Sequence, residues 1–244
     1  MTKIAITGIT GRMGQQLALK AFADSKLQVS LLLLRPGHAL ANKKFLDYPL
    51  ETTAFSADLA LDCDVLIDFT LPQGTLAHIA SCEQQQIPIV IGTTGFSATE
   101  IEQIRACAKN IPVFFAPNMS MGICMVEKTL NTITPLFDEH WHVEITDLHH
   151  KDKKDAPSGT AKLLAQVIGN QRPSEVANVD IVSIRDDASV GEHVVKFYND
   201  FETIEIKHKA HNRGVFVDGA LQAAKWLVYQ PPGLYSMRDL FKKK

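Results

Sequence analysis

Cysteine is scarce, and no two cysteines are spaced as a pair. Cys63, Cys82, Cys107 and Cys124 are the only four, and none has the C-x-x-C spacing of a zinc ribbon or a thioredoxin-type redox site. Three of them fall in apolar or helical patterns, where a thiol behaves as a small hydrophobe. An excess of one charge is also missing. Lys and Arg number 25 against 27 Asp and Glu, a formal net charge of −2, which offers no basic surplus for a nucleic-acid partner. Long apolar runs are absent as well: the longest, at residues 31–34, is far short of the roughly 20 residues of a membrane helix. At the N-terminus Ile4-Ala5-Ile6 runs straight into glycine, unlike a secretory leader. There are no internal repeats, and the basic end Lys242-Lys243-Lys244 reads as a solvated tail. These absences predict a reduced, cytoplasmic setting with neither membrane nor nucleic acid as partner.

What is present is ordinary for a globular chain. With 45% hydrophobic and 21% charged residues over a length of 244, it can form one large domain or two small ones with a substantial core. Strands are expected at residues 4–7, 29–34, 65–69, 89–91 and 113–116, and helices at 13–22, 57–62, 75–86 and 98–109. Ser97, with Glu100 three residues on, gives the last of these helices a capping box. This alternation predicts an α/β fold with a doubly wound parallel sheet. The pattern changes after Pro117-Asn118. A helix over 121–137, a strand over 142–149 and a helix over 158–168 precede β-rich stretches at 179–185, 193–198 and 203–209, with Asn199-Asp200 as a hairpin turn. This half is expected to be α+β, with an open mixed, mostly antiparallel sheet. A final helix over 219–229 is expected to return to the first half.

Directly after the first strand stands Gly8-Ile9-Thr10-Gly11-Arg12-Met13-Gly14, opening into a helix. Glycine lets the backbone turn tightly and approach a pyrophosphate, and a helix N-terminus offers the anion unpaired N–H groups and a positive dipole end. The spacing is G-x-x-G-x-x-G, with Thr10 where the usual Rossmann fingerprint has its middle glycine. Its place between a first strand and a first helix is what points to a nucleotide. The second strand ends Leu33-Leu34-Arg35, without the acid that binds a ribose 2′-hydroxyl in NAD sites. Arg35, helped by Arg12, suits a 2′-phosphate, so NADPH is the expected cofactor and NADH a possible one; an ordinary surface arginine is the alternative. Gly92-Thr93-Thr94-Gly95 and Ala116-Pro117-Asn118-Met119 follow later strand ends, where open α/β sheets bind ligands, and are candidates for the nicotinamide end. The expected organisation is a Rossmann-type dinucleotide-binding domain over 1–120, a substrate-binding and oligomerisation domain over 121–212, and a C-terminal segment over 213–244.

Residues 149–161, His149-His150-Lys151-Asp152-Lys153-Lys154-Asp155-Ala156-Pro157-Ser158-Gly159-Thr160-Ala161, gather several kinds of site chemistry. Two histidines and a lysine can move protons near neutral pH, and neighbouring cations should make His149 give up its proton more easily. Pro157-Ser158-Gly159-Thr160 opens a helix, presenting N–H groups and a hydroxyl as a seat for a carboxylate or phosphate. The plain alternative is a charged loop followed by an ordinary helix cap. His140, His142, His149 and His150 also lie close together, but no cysteine joins them and hydride transfer from a nicotinamide needs no metal, so no metal centre is expected.

The same segment resembles the sequence E-x-H-H-x-x-K-x-D-A-P-S-G-T-A of the dihydrodipicolinate reductase family, with Asp147 in place of the glutamate. The likeness runs along nearly the whole chain. It includes Gly11-Arg12-Met13-Gly14, Asp68-Phe69-Thr70, Gly92-Thr93-Thr94-Gly95, Asn118, Gly191-Glu192-His193, Arg213, Gly219-Ala220 and the closing Gly233-Leu234-Tyr235. The resemblance implies an NAD(P)H-dependent reductase of lysine and diaminopimelate biosynthesis, acting on a cyclic dicarboxylate, and a homotetramer. It implies His149 as proton donor and acceptor and Lys153 as proton donor. His150, Gly159 and Thr160 would bind substrate carboxylates, with Arg213 as helper. Gly8, Ile9, Thr10, Gly11, Arg12, Met13, Arg35, Gly92, Thr93, Thr94, Ala116, Pro117, Asn118 and Met119 would hold the cofactor. Two departures stand out: Leu34-Arg35 where the family often has Glu-Arg, and Met119 where it has an aromatic. A related amino-acid dehydrogenase and a non-catalytic NADPH-sensing regulator are the competing readings, but neither has a use for His-His-x-x-Lys beside Ser-Gly-Thr.

Overall fold

The apolar runs of the first half pair side by side into an all-parallel sheet of seven strands. The computed structural model describes residues 1–151, 153, 155–173 and 179–241; Asp152, Lys154 and the lysine tail lie outside them. The chain divides into two compact units, Met1–Met119 with Phe216–Lys244, and Ser120–Val215.

The first unit contains β1 (Thr2–Thr7), α1 (Arg12–Ala23), β2 (Leu27–Leu34), β3 (Thr52–Ala54), β4 (Val65–Asp68), α2 (Pro72–Gln84), β5 (Ile89–Ile91), α3 (Ala98–Cys107), β6 (Pro112–Phe115) and, from the chain's end, β11 (Gly233–Tyr235). The sheet order is β3-β2-β1-β4-β5-β6-β11. Residues 65–67 and 89–91 are wholly buried, as expected of parallel strands covered on both faces. The order reverses between β1 and β4, which makes the crevice beyond their carboxyl ends the topological switch point. The α3 capping box forms: Ser97 Oγ accepts from the Glu100 N–H, and the Glu100 carboxylate accepts from the Ser97 N–H at 2.7 Å. Burial pushes the Cys107 thiol up to about 12, so it behaves as a core hydrophobe. No helix spans 57–62. That stretch is too short to sustain helical bonding, and its backbone is tied to α2's end instead: the Leu61 N–H donates to Gln85 Oε1 and Gln85 Nε2 donates to the Leu59 carbonyl. The three-residue strands β3 and β11 escaped the sequence because Thr52-Thr53-Ala54 and Gly233-Leu234-Tyr235, unlike Ile89-Val90-Ile91, are not continuous apolar runs.

The second unit holds α4 (Met121–Ile133), β7 (His142–His150), α5 (Gly159–Gly169), β8 (Asp180–Asp186), β9 (Gly191–Tyr198) and β10 (Thr203–Ala210). The helix expected to reach 137 stops at Ile133 and tightens into a 3-10 turn at Thr134–Leu136, because Pro135 has no N–H to continue it. The sheet order is β10-β9-β7-β8. β7 pairs parallel with β8 across the α5 connection, and the other two pairings are antiparallel. Asn199 Oδ1 accepts from the Phe201 and Glu202 N–H groups at 2.9 and 3.0 Å, closing the β9–β10 turn. The last helix, α6 (Gly214–Leu227), belongs to the first unit except for its first two residues. Gly219 is where it meets the Met119 backbone: a Cβ there would stand 1.7 Å from the Met119 carbonyl oxygen. Among the described residues no helix is long and apolar enough to cross a membrane.

Candidate active site

Alternation along β7 sends Val143, Ile145, Asp147 and His149 to one face of the second unit's sheet, and strand pairing extends each position sideways. The row through Val143 continues as Phe197 and Ile204, and the row through Ile145 as Ile181, Val195 and Ile206. Apart from Ile204, which is 41% exposed on the edge strand, these rows pack with residues of α4 and α5 into the unit's core. The next row is polar on all four strands: Ser183, Asp147, His193 and His208. His149 stands beyond it, beside Arg185. The site is therefore the polar end of the face whose other end is the core.

Asp147 is fully buried and accepts from Ser158 twice, from the N–H at 2.8 Å and from Oγ at 2.7 Å. Burial pushes its carboxyl up, but the Ser158 donors and then His149 and His193 outweigh burial and hold it below the usual carboxylate range. Ser158 also caps α5, its Oγ accepting from the Ala161 N–H. The Ser158 hydroxyl is thus committed to Asp147. His149 Nδ1 lies 3.0 Å from Asp147 Oδ1, outside the alignment of a hydrogen bond, so the contact is electrostatic. Burial lowers the His149 imidazole, with Asp147 opposing and Lys153 and Arg185 adding to the fall. The expected cationic influence is real but ranks below burial. His193, with its Nε2 at 3.3 Å from the same Asp147 oxygen, is driven down to about 4 by burial and then by His149.

Ligand-capable atoms of Asp147, His149 and His193 lie within 4.8 Å of one another, a different set from the one the sequence brought together around His140. Both Asp147 oxygens already accept from Ser158, and Arg185 Nη2 stands 3.5 Å from Oδ2. Those donors, one of them the Arg185 cation, compensate the buried carboxylate within the protein.

Lys153 follows β7, with Nζ 2.8 Å from Asp155 Oδ1. Gly159 and Thr160 are the first residues of α5, whose first turn carries no acid. A Cβ at Gly159 would meet no atom within 4 Å, while the Gly159 N–H bonds the Asp155 carboxylate, so this N-terminus already holds one anion of the chain's own. His150 ends β7 one residue past His149 and belongs to the alternate set with Leu148 and Thr146, pairing with Asp186. Arg213 is half-buried in the turn between β10 and α6.

In the first unit the glycine loop leaves β1 at the switch point. Gly8 has φ +65°, and the Gly11 N–H donates to its carbonyl at 2.8 Å. A Cβ on Gly14 would stand 2.3 Å from the Gly8 oxygen, so the loop closes only on bare glycine. Gly11 is the N-cap of α1 and has no side-chain cap, which leaves the helix's first N–H groups to a ligand. This cradle fits a dinucleotide pyrophosphate. Ile9 and Met119 are buried in the core, so they can meet a cofactor only through their backbone. Thr94 and Pro117 are exposed, Ala116 is buried and donates its N–H to the Ile91 carbonyl, and Asn118 is half-buried. Arg12 and Arg35 are exposed, and neither forms an ion pair among the described residues.

A buried hub without a local sequence signal lies at the end of β4. Asp68, at the end of β4, is fully buried. Its Oδ1 accepts from the hydroxyls of Thr70, Thr75 and Thr93, and its Oδ2 lies 2.5 Å from His78 Nδ1. The Thr93 hydroxyl is spent here rather than on a ligand. Burial alone would raise the Asp68 carboxyl, but His78 and then the threonines hold it below its ordinary value. Asp147 was legible by alternation from His149, two residues on; Asp68 had no such local signal.

Residues 2–119 match the family described as dihydrodipicolinate reductase, N-terminus, and residues 122–241 match dihydrodipicolinate reductase, C-terminus. The chain is 37% identical over 265 aligned positions to the 4-hydroxy-tetrahydrodipicolinate reductase of Methylococcus capsulatus, covering 99% of this chain and 98% of the relative. It is 38% identical to the Geobacter metallireducens enzyme of the same name, covering 98% of each. Among solved structures, a dipicolinate-bound dihydrodipicolinate reductase from Paenisporosarcina sp. TG-14 superposes with a TM-score of 0.79 at 25% identity, covering 97% of each chain.

Proposed function

The chain belongs to the dihydrodipicolinate reductase family, and from that premise we propose how its residues divide the work. The activity is the NAD(P)H-dependent reduction of 4-hydroxy-tetrahydrodipicolinate in lysine and diaminopimelate biosynthesis. Gly8 to Met13, Arg35, Gly92 to Thr94 and Ala116 to Met119 hold the dinucleotide, which when bound supplies the hydride. The substrate carries two carboxylates. Gly159 and Thr160 at the start of α5, His150 and Lys153, with Arg213 as helper, provide the positive potential that two anions require. Reduction of a conjugated C=C–C=N system must end with a proton on the ring. His149 and Lys153 are the groups that deliver it, by general-acid catalysis. The observation that supports these roles is His149, a buried imidazole beside a buried carboxylate in the same unit as the N-terminus of α5.

A coupled assay tests the activity. Dihydrodipicolinate synthase generates the substrate from pyruvate and aspartate semialdehyde, and nicotinamide absorbance reports its reduction. Turnover is expected, and absence of turnover with both cofactors would overturn the reading. We propose NADPH as the preferred cofactor, because Arg35 and Arg12 are exposed cations without carboxylate partners among the described residues and β2 ends in Leu34 where an acid would repel a 2′-phosphate. Arg35→Ala is expected to cut kcat/KM for NADPH by about tenfold, the worth of one charge-assisted contact, and to leave NADH little changed. Equal kcat/KM for the two cofactors in the unmodified protein would rule the preference out.

The outward face of the second unit's sheet supports assembly into a homotetramer. Val182 and Ile184 are 44% and 45% exposed there, two apolar side chains on the outward face of β8. Light scattering should give four times the 27.0 kDa chain mass, and Ile184→Glu should lower the assembly state. A monomer at assay concentration would contradict this proposal.

A further inference from the structure

Proton transfer by His149 leaves two buried groups without a task. Asp147 and His193 are both less exposed than His149 itself, and a carboxylate is not buried beside two imidazoles without cost. We propose that Asp147 is the positioning residue for His149: held by Ser158 and flanked by His193, its carboxylate fixes the imidazole's place and partners the charge the ring carries when protonated. This rests on the proton-transfer reading of His149 given above.

Three observations carry it. First, Asp147 cannot swing away, because the two Ser158 donors at 2.8 and 2.7 Å engage both of its oxygens while Ser158 itself is pinned as the α5 cap. The oxygen nearest His149 is therefore a fixed point on the sheet. Second, the His149 ring is confined from the other side by Gly191 of β9. A Cβ at Gly191 would lie 3.0 Å from Nε2 and 3.3 Å from Cδ2, so the ring sits between a fixed carboxylate and a strand that carries no side chain there. Third, the two imidazoles that share Asp147 are not equivalent. His193 is walled in, its Nε2 also 3.3 Å from Ser158 Oγ, whereas His149 stands one row nearer the strand end. His193 stays neutral, and His149 is the ring left to take up and release the proton.

The charged groups facing His149 define the expected pH behaviour. Asp147 on β7 and Asp155 on the segment before α5 favour the imidazolium; Lys153 on that segment and Arg185 on β8 oppose it, and His193 on β9 contributes no charge near neutral pH. Asp147→Asn removes the nearest negative charge, so His149 must titrate at lower pH and a smaller fraction is protonated at pH 7. Imidazole NMR should show that downward shift. In the coupled assay Asp147→Asn should lose about 10- to 100-fold in kcat, less than the roughly 10²–10⁴-fold of losing the general acid itself, with KM for NADPH unchanged. Asp147→Glu, which keeps the charge, should recover most of the loss. If Asp147 acts through His149, adding Asp147→Asn to His149→Gln should cost nothing further. An unshifted His149 titration, or losses that multiply in the double variant, would overturn the proposal. Should Asp147→Asn not fold, Gly191→Ala tests the same confinement without touching any Asp147 bond. It should displace the ring and cost about tenfold in kcat at unchanged Tm, and undiminished kcat would overturn the proposal. Full turnover in His149→Gln would instead remove the proton-transfer reading, while the NMR titration still decides whether Asp147 governs His149.

Discussion

His149→Gln and Lys153→Ala are each expected to lower kcat in the coupled assay by about 10²–10⁴-fold, the usual worth of a positioned general acid, while NADPH binding and folding stay as they are. The separation of effects follows from where the residues stand. Both belong to the second unit, whereas the glycine loop, Arg35 and the loops after β5 and β6 belong to the first, so cofactor affinity has no reason to move. Glutamine roughly fills the volume of the imidazole, which matters because His149 is only 8% exposed and a smaller side chain would open a cavity. Lys153 is partly exposed and pairs with Asp155, itself half in solvent, so its removal strands no buried charge. The two losses should not multiply, because residues that act as one proton-delivery unit fail together. Near-unmodified turnover in both variants would remove the assignment, whatever the family membership.

The parts legible in the sequence were those with a local period or a local covalent reason. Five strands of the parallel sheet came from uninterrupted apolar runs, the α3 start from Ser97 and Glu100, and the β9–β10 turn from Asn199-Asp200. The glycine loop came from its place between β1 and α1. What was missed depends on contacts far apart in the chain. Thr93 is 25 residues from Asp68, and Ser158 and His193 are 11 and 35 residues from the residues they bond or flank; no window of the sequence shows those pairings. The stretch at 57–62 has helical composition but is claimed by Gln85, a case of tertiary bonding overriding propensity. Ser158 was legible only as part of a helix start, and the fold reveals that Asp147 takes its hydroxyl. The missed residues are buried behind the ones proposed to meet ligands, which is where sequence pattern is weakest.

Asp68→Ala should be the most damaging single change in the first unit, lowering its unfolding free energy by about 3–5 kcal/mol, the cost of breaking a buried charged pair by removing one partner. The carboxylate is the common acceptor for His78 and for the hydroxyls of Thr70, Thr75 and Thr93. Without it His78 Nδ1 loses its partner, and the threonines must find weaker ones among nearby carbonyls such as that of Leu71. Asp68→Asn keeps the shape and one acceptor oxygen, so it should lie between alanine and the original. The same bonds tie the Thr70 turn, against which Gly8 packs, to the loop of Thr93, so NADPH affinity should fall with stability. The chain's two tryptophans make the test specific. Trp226 packs against Phe114 and Tyr235 in the first unit, and Trp141 lies against Phe137 in the second. In a Trp141→Phe background, urea unfolding followed by Trp226 fluorescence should shift to a lower midpoint with Asp68→Ala. In a Trp226→Phe background the transition seen by Trp141 should hold its midpoint, because none of the Asp68 bonds reaches the second unit. Equal shifts in the two backgrounds would mean that Asp68 supports the whole chain rather than the cofactor loops, and an unshifted Trp226 transition would mean that the carboxylate is not the hub its five bonds describe.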